Sequence, residues 1–385
     1  MGRDLAAQLG LLERLQRLRG LRAARRRAVR AHALVPAILA NLATVLGEEH
    51  ETWRTHEMLR TLSDVTILTA GPVGLPYRAL IKIADTPVAA DGVVWQRTAL
   101  GILHDDERLG DWRAFLPRVL DAGQTGGTAY LVEHRLKGGS LEHALTQPPI
   151  REIAVRAAVD AIGHLHRATA TEATIGEEIL DRWVGAPIAV LSEVAGHSRG
   201  ARATLAGLAR LSESLRATLD DQPIILSWVH GDYAPGNILT SPDGHISGIV
   251  DWEHAHAEDL PSLDVITLLL TTRMVVRRQE LGRVVCDLVA ASAWTDAEAQ
   301  LVAAAHDAQP CAALGTETVV LLCWLRHVAT TIARFGFADN GLWMWANIHS
   351  VLDALSHAPP RSPVSAESPW DGGSLGAKTT NTRSE

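Results

Sequence analysis

One stretch limits the possible folds more than any other. It runs from Trp228 to Glu253 and reads W-V-H-G-D-Y-A-P-G-N-I-L-T-S-P-D-G-H-I-S-G-I-V-D-W-E. Ile238 to Thr240 and Ile246 to Val250 are short apolar runs, and Ser241-Pro242-Asp243-Gly244 between them is a turn. Proline presets φ there and glycine accepts φ > 0. The spacing predicts a β-hairpin with Asn237 opposite Val250 and Asp251 opposite Gly236. Asp232 lies on the loop leading in, where Gly231, Pro235 and Gly236 interrupt regular structure. The hairpin therefore gathers two acids and an amide. A carboxylate beside an amide oxygen suits Mg²⁺, which keeps waters and substrate phosphates in its shell. A second carboxylate nearby can orient a hydroxyl and accept its proton. Together these parts fit phosphoryl transfer, which depends on positioning and charge neutralisation.

H-G-D-Y-A-P-G-N-I-L followed by G-I-V-D-W-E resembles the aminoglycoside phosphotransferase and choline kinase family. That resemblance implies an α+β, protein-kinase-like fold of two lobes. The first would be a small antiparallel sheet, the second mostly helical with a catalytic hairpin. It implies Asp232 as catalytic base, Asn237 and Asp251 as metal ligands, and His230 as a brace of the loop. Asp264 opens an apolar helix, where it would serve as N-cap; the family aspartate here also hydrogen-bonds the catalytic loop.

The expected lobes are residues 51–135 for nucleotide and 136–357 for catalysis and acceptor, with a basic helical extension at 1–50 and a disordered tail at 358–385. Val65 to Leu68 and Ala79 to Ala84 read as a hairpin around Gly71, Pro72 and Gly74, and Lys82 sits inside the second strand. Lysine occurs only at 82, 137 and 378, so one in an apolar strand needs a reason. An edge-strand lysine snorkelling outward is one; the resemblance gives another, contact with ATP phosphates. A helix is expected over Val93 to Leu103, with Gln96 where family members place a glutamate to pair with that lysine. Glutamine can hydrogen-bond an ammonium but cannot neutralise it. G-P-V-G is a short stand-in for a phosphate loop. Thr128 to Glu133 is an apolar strand running into His134, Arg135 and Leu136, and by resemblance adenine would lie near Glu133, His134 and Arg135.

Other features carry less. A net charge of −8 argues against general nucleic-acid binding and would suit a cationic substrate. Cys286, Cys311 and Cys323 show no metal or disulfide spacing. No apolar run reaches the ~18 residues of a membrane span. The longest, Ala33 to Leu46, contains Pro36 and Asn41 and follows Arg25-Arg26-Arg27. It starts late for a signal peptide, and an ATP-using enzyme is expected in the cytoplasm. Leucines at helical steps among arginines near the N-terminus suit either a helix packed on the first lobe or a partner, or contact with a partner or membrane surface. His166 reads as structural, and His254 and His256 lack a third metal ligand. Trp324, Trp343 and Trp345 suit either acceptor stacking or core filling.

The expected activity is transfer of the γ-phosphoryl group of ATP, or GTP, to a hydroxyl of a small acceptor, with Mg²⁺. Aminoglycosides, other antibiotics, choline-like amines, amino alcohols and sugars all fit. The other reading is a catalytically weak or silent nucleotide-binding scaffold, suggested by Gln96 and the short glycine loop.

Overall fold

A computed structural model describes residues 29–48, 52–59, 64–196, 200–291, 294–307, 314–335 and 340–357. The arginine-covered segment 1–28, the tail 358–385 and Cys311 lie outside the described residues. Helix α1 (residues 29–46) precedes a five-stranded antiparallel sheet. Its strands are β1 (Trp53–Leu59), β2 (Val65–Pro72), β3 (Ala79–Ala84), β4 (Val119–Thr125) and β5 (Thr128–His134), in spatial order β1-β2-β3-β5-β4. The two runs expected as a hairpin are β2 and β3, in continuous register from Val65↔Ala84 to Ala70↔Ala79.

The two faces of the sheet are covered differently. Ala31, Val35, Ile38, Leu39 and Leu42 of α1 recur at helical steps and pack on Leu68, Ala70, Ile81, Ile83, Tyr130 and Val132. Broken by Arg30, Pro36 and Asn41, the run nonetheless forms the one helix among the described residues that is long and apolar enough to cross a membrane. Here its apolar stripe lies on the sheet. On the opposite face lies α2 (Pro87–Asp105), longer than the sequence suggested. Thr86 caps it by accepting from Ala89 N, and Pro87 fits the first turn because its missing N–H is not needed there. Ala89 and Val93 pack on Val65 and Leu131, which turns Gln96 inward.

The second lobe is mostly helical. In chain order it holds β6 (Gly139–Ser140), α3 (Leu141–Leu145), α4 (Pro148–Ala168), β7 (Thr171–Thr174), α5 (Glu177–Leu180), α6 (Ala186–Ala195), α7 (Ala201–Leu219) and β8 (Pro223–Val229). Then come β9 (Ile238–Thr240), β10 (Ile246–Ile249), β11 (His256–Asp259), α8 (Ser262–Arg277), α9 (Leu281–Ala291), α10 (Asp296–Asp307), α11 (Thr316–Phe335), α12 (Gly341–Met344) and α13 (Ser350–His357). A π-helical turn, Asp181–Gly185, joins α5 to α6. Two small sheets, β10-β9-β6 and β11-β8-β7, carry the loops that matter. Trp324 is core filler, fully buried with its indole N–H on the Asn347 carbonyl at 2.7 Å. Trp345 is exposed, and Trp343 packs on the core.

Candidate active site

The β9–β10 hairpin reaches the expected pairing at Asn237 through an irregularity: Ile246 pairs with Thr240 beside the turn, and the register shifts by one before Gly248. Ile249 pairs with Ile238 and Gly248 with Leu239, and Val250 N donates to Asn237 O at 2.9 Å. Asp251 follows with φ 71°, in the left-handed region where aspartate is among the tolerated residues.

The loop between β8 and β9 is held from below. Asp264, buried in the first turn of α8, accepts from His230 N at 2.7 Å, Gly231 N at 3.0 Å and His166 Nε2 at 3.1 Å. It is not the N-cap expected from sequence. The helix begins two residues earlier, at Ser262, so Asp264 points inward to the loop instead of capping its own helix. Burial works against ionisation of Asp264, but the hydrogen bond and charge of His166, helped by His230, hold its carboxyl below the ordinary range. Gly231 has φ 79°, and a Cβ there would collide with the His254 carbonyl, so only glycine fits. The His230 ring donates from Nε2 to Val250 O at 2.9 Å and lies 4.7 Å from the Trp252 ring. It thus ties the loop to the end of the hairpin.

Asn237 Nδ2 donates to both the backbone oxygen and Oδ2 of Asp232, at 2.9 and 3.0 Å. This fixes the amide with its nitrogen toward Asp232 and leaves its oxygen for a cation. Asp251 is linked to the first lobe through Lys82 Nζ at 3.1 Å. Among the described residues no group of three or more His, Cys, Asp or Glu forms a metal cage. A two-donor set of one amide oxygen and one carboxylate fits Mg²⁺, whose remaining ligands are waters and phosphates.

Lys82 is buried in β3 and has more partners than the sequence suggested. Gln96 Oε1 accepts from it at 3.1 Å, Glu133 Oε1 lies 3.2 Å away, and Gln96 Nε2 donates to Glu133 Oε2 at 2.9 Å. The resemblance puts adenine near the backbone of Glu133; the side chain of Glu133 is turned to Lys82 as a second carboxylate. The pleat explains this: Glu133 pairs with Leu80 and Leu131 with Lys82, so all four share one face of the sheet. Burial would lower the Lys82 pKa, but Asp251 and Glu133 outweigh it and hold the ammonium above the usual lysine range. Asp251 is held below the ordinary range; burial opposes this and the Lys82 charge overcomes it. His134 N donates to Arg118 O and Arg135 N to Arg78 O, both at 2.8 Å, so neither amide is open to an adenine edge. The Arg135 guanidinium covers the Tyr77 ring at 4.5 Å. G-P-V-G is the β2–β3 connection, and the β1–β2 connection, residues 60–63, lies outside the described residues.

Lys82, Gln96, Asp232, Asn237 and Asp251 all line one cleft of ≈ 800 Å³. Its far wall holds residues the sequence gave no sign of: Arg182, Asp259, Thr330, Thr331 and Arg334. Of the two readings open for Trp324, Trp343 and Trp345, acceptor stacking finds no support, since none of them lines the cleft. Arg326 and His327 do, and burial keeps His327 below the ordinary imidazole range, against the pull of Asp232 and Glu280. Among the described residues, no tryptophan, tyrosine or phenylalanine lines the cleft.

Comparison with known proteins adds a family. The sequence model of the phosphotransferase enzyme family matches residues 69–302, more than half of the chain. No curated protein matches in sequence. Among solved structures, aminoglycoside phosphotransferase APH(3'')-Id from Streptomyces rimosus, in complex with ADP and streptomycin, is 17% identical with a TM-score of 0.48, covering 75% of this chain and 98% of that one. A glucosamine kinase in complex with glucosamine, ADP and inorganic phosphate is 17% identical with a TM-score of 0.46, covering 82% and 84%.

Proposed function

The chain belongs to the phosphotransferase enzyme family, and from that premise we propose that it moves the γ-phosphoryl group of ATP to a hydroxyl of a small-molecule acceptor. The observation that carries this is the convergence of Asp232, Asn237, Asp251 and Lys82 on one cleft. Lys82 meets the nucleotide phosphates from the first lobe. Asn237 and Asp251 hold Mg²⁺, which supplies charge neutralisation at the phosphate oxygens when bound. Asp232 accepts a hydrogen bond from the acceptor hydroxyl and takes its proton as the new O–Pγ bond forms. The bond from Pγ to the β-phosphate oxygen breaks, and ADP leaves. Asn237 orients Asp232 through its two hydrogen bonds, and Asp264 fixes the backbone beneath both.

Of the two features that suggested a silent scaffold, one has an answer in the geometry. Gln96 lacks a charge, but Glu133 brings one to Lys82 from β5. Asp232→Asn tests the assignment. ADP release with a hydroxyl-compound library, in ATP and in GTP, should fall by about 10²- to 10⁴-fold, while the thermal shift caused by Mg²⁺ and nucleotide is kept. Unchanged turnover would remove Asp232 from the role of base.

A further inference from the structure

Resting on this view of the cleft as an acceptor site, its far wall indicates what the acceptor carries. Arg182 occupies the second position of the π-turn Asp181–Gly185. Such turns displace a side chain from its helical position and recur at functional sites. Its Nη2 donates to the Glu258 carbonyl at 2.6 Å, and its Nη1 lies 3.4 Å from His256 Nε2. Neither partner carries a negative charge. Its Nε is buried and has no hydrogen-bond partner.

Next to it stands Arg326, whose one carboxylate, Asp259, is fully committed. Asp259 accepts from Trp183 Nε1 at 2.7 Å and Leu260 N at 2.9 Å through one oxygen, and from Arg326 through the other. Burial and then the Arg182 charge, with Arg326 adding to it, hold His256 below the ordinary imidazole range, against Asp259. This part of the wall thus sets two guanidinium groups against one carboxylate. The other arginine of the wall, Arg334, is balanced by Glu253 and Asp64.

We propose that Arg182, His256 and Arg326 form an anion-binding corner of the acceptor site, and that the acceptor is a hydroxylated small molecule bearing a carboxylate or phosphate group. The chain's net charge of −8 points the other way, toward a cation, but the field at this corner is set by the groups nearest it. A polyamine here would place an ammonium beside Arg182 and Arg326, whose hydrogen-bonded carboxylate, Asp259, is already committed. An acid would meet the Arg182 and Arg326 guanidinium groups where both line the cleft. Its hydroxyl then lies in the same cleft as Asp232.

The test uses the full chain with Mg²⁺ and ADP, in a buffer free of phosphate and sulfate. Thermal shifts are measured with glucuronate, glucose 6-phosphate, glucose and glucosamine, which share a pyranose ring and differ mainly in the charged group. The expected order is an acid first, glucose next and glucosamine last. The better of glucuronate and glucose 6-phosphate identifies the anion. Arg182→Ala should weaken the acid by about 10- to 100-fold and bring it level with glucose. Arg182→Lys, which keeps the charge and the packing stem, should retain part of the preference even if the alanine variant folds poorly. No preference for either acid, or glucosamine first, with the nucleotide shift intact, overturns the anion corner alone. Absence of any nucleotide shift overturns the phosphotransferase reading and the corner with it.

Discussion

At Lys82 a buried ammonium meets two carboxylates, and the two are not equivalent. In the proposed reaction Asp251 would also hold the metal, which would leave Glu133 as the partner of Lys82 when nucleotide binds. Burial pushes the Glu133 carboxyl up, Lys82 pulls it back, and the Asp251 charge pushes it further up. A folded pKa above the unfolded one means that this group's contribution to stability is full below the ordinary carboxylate range. It is lost as pH rises through the folded value. Glu133→Gln should therefore leave the melting temperature of the free protein at neutral pH unchanged or higher. ATP turnover should fall by about tenfold, a loss equivalent to ~1.4 kcal/mol. Adding Gln96→Glu returns a carboxylate to the same ammonium and should recover turnover. A lower melting temperature with unchanged turnover would remove Glu133 from this role.

At the scale of elements, the loop that carries Asp232 has little regular structure of its own and is held by the start of α8. Asp264 spans the two backbone amides that precede Asp232, so its loss would be felt at the proposed base. Its folded pKa lies below the ordinary value, so its contribution is present above the unfolded carboxylate range and is lost as pH falls through the folded value. Asp264→Asn should cost about 1–3 kcal/mol at pH 7, and chemical denaturation from pH 7 to 3 should show a shallower acid decline than the wild type. An unchanged acid profile would mean that other carboxylates dominate it. Gly231→Ala acts at the same junction through sterics. It should abolish turnover even where the protein still folds, as judged by circular dichroism alongside ADP release.

Across the whole molecule, Arg334 joins the lobes alongside the Lys82–Asp251 pair. Arg334 of α11 donates to Asp64 at the edge of the sheet, 3.1 Å away, and to Glu253 and His254 just after the hairpin, at 2.8 and 2.7 Å. These groups are mostly shielded, with side-chain exposures of 11%, 17% and 10% for Arg334, Asp64 and Glu253. Solvent screening is accordingly weaker than at an open surface pair. A double-mutant cycle of Asp64→Asn and Arg334→Gln should give a coupling of about 0.5–3 kcal/mol. Asp64→Asn alone should raise the KM for ATP, because it loosens the edge of the sheet over the cleft. Additive effects in the cycle would show that the lobes are held by other contacts.

The sequence by itself determined what lies within a few residues along the chain. The turn at Ser241 to Gly244 made the hairpin legible, with Asn237 beside Val250 and Asp251 lining the cleft, although a register shift between Ile246 and Gly248 also enters that pairing. The scarcity of lysine made Lys82 conspicuous. These are matters of backbone sterics and pleat, which act locally. Tertiary structure alone decided which charges meet. Glu133 turned to Lys82 because two strands paired in one register and not the next. Arg182 reached His256 across 74 positions, and Arg334 reached Asp64 across 270. No local pattern encodes such pairs, because a charge selects its partner by distance and burial after packing, and the chain between them leaves no mark on either residue.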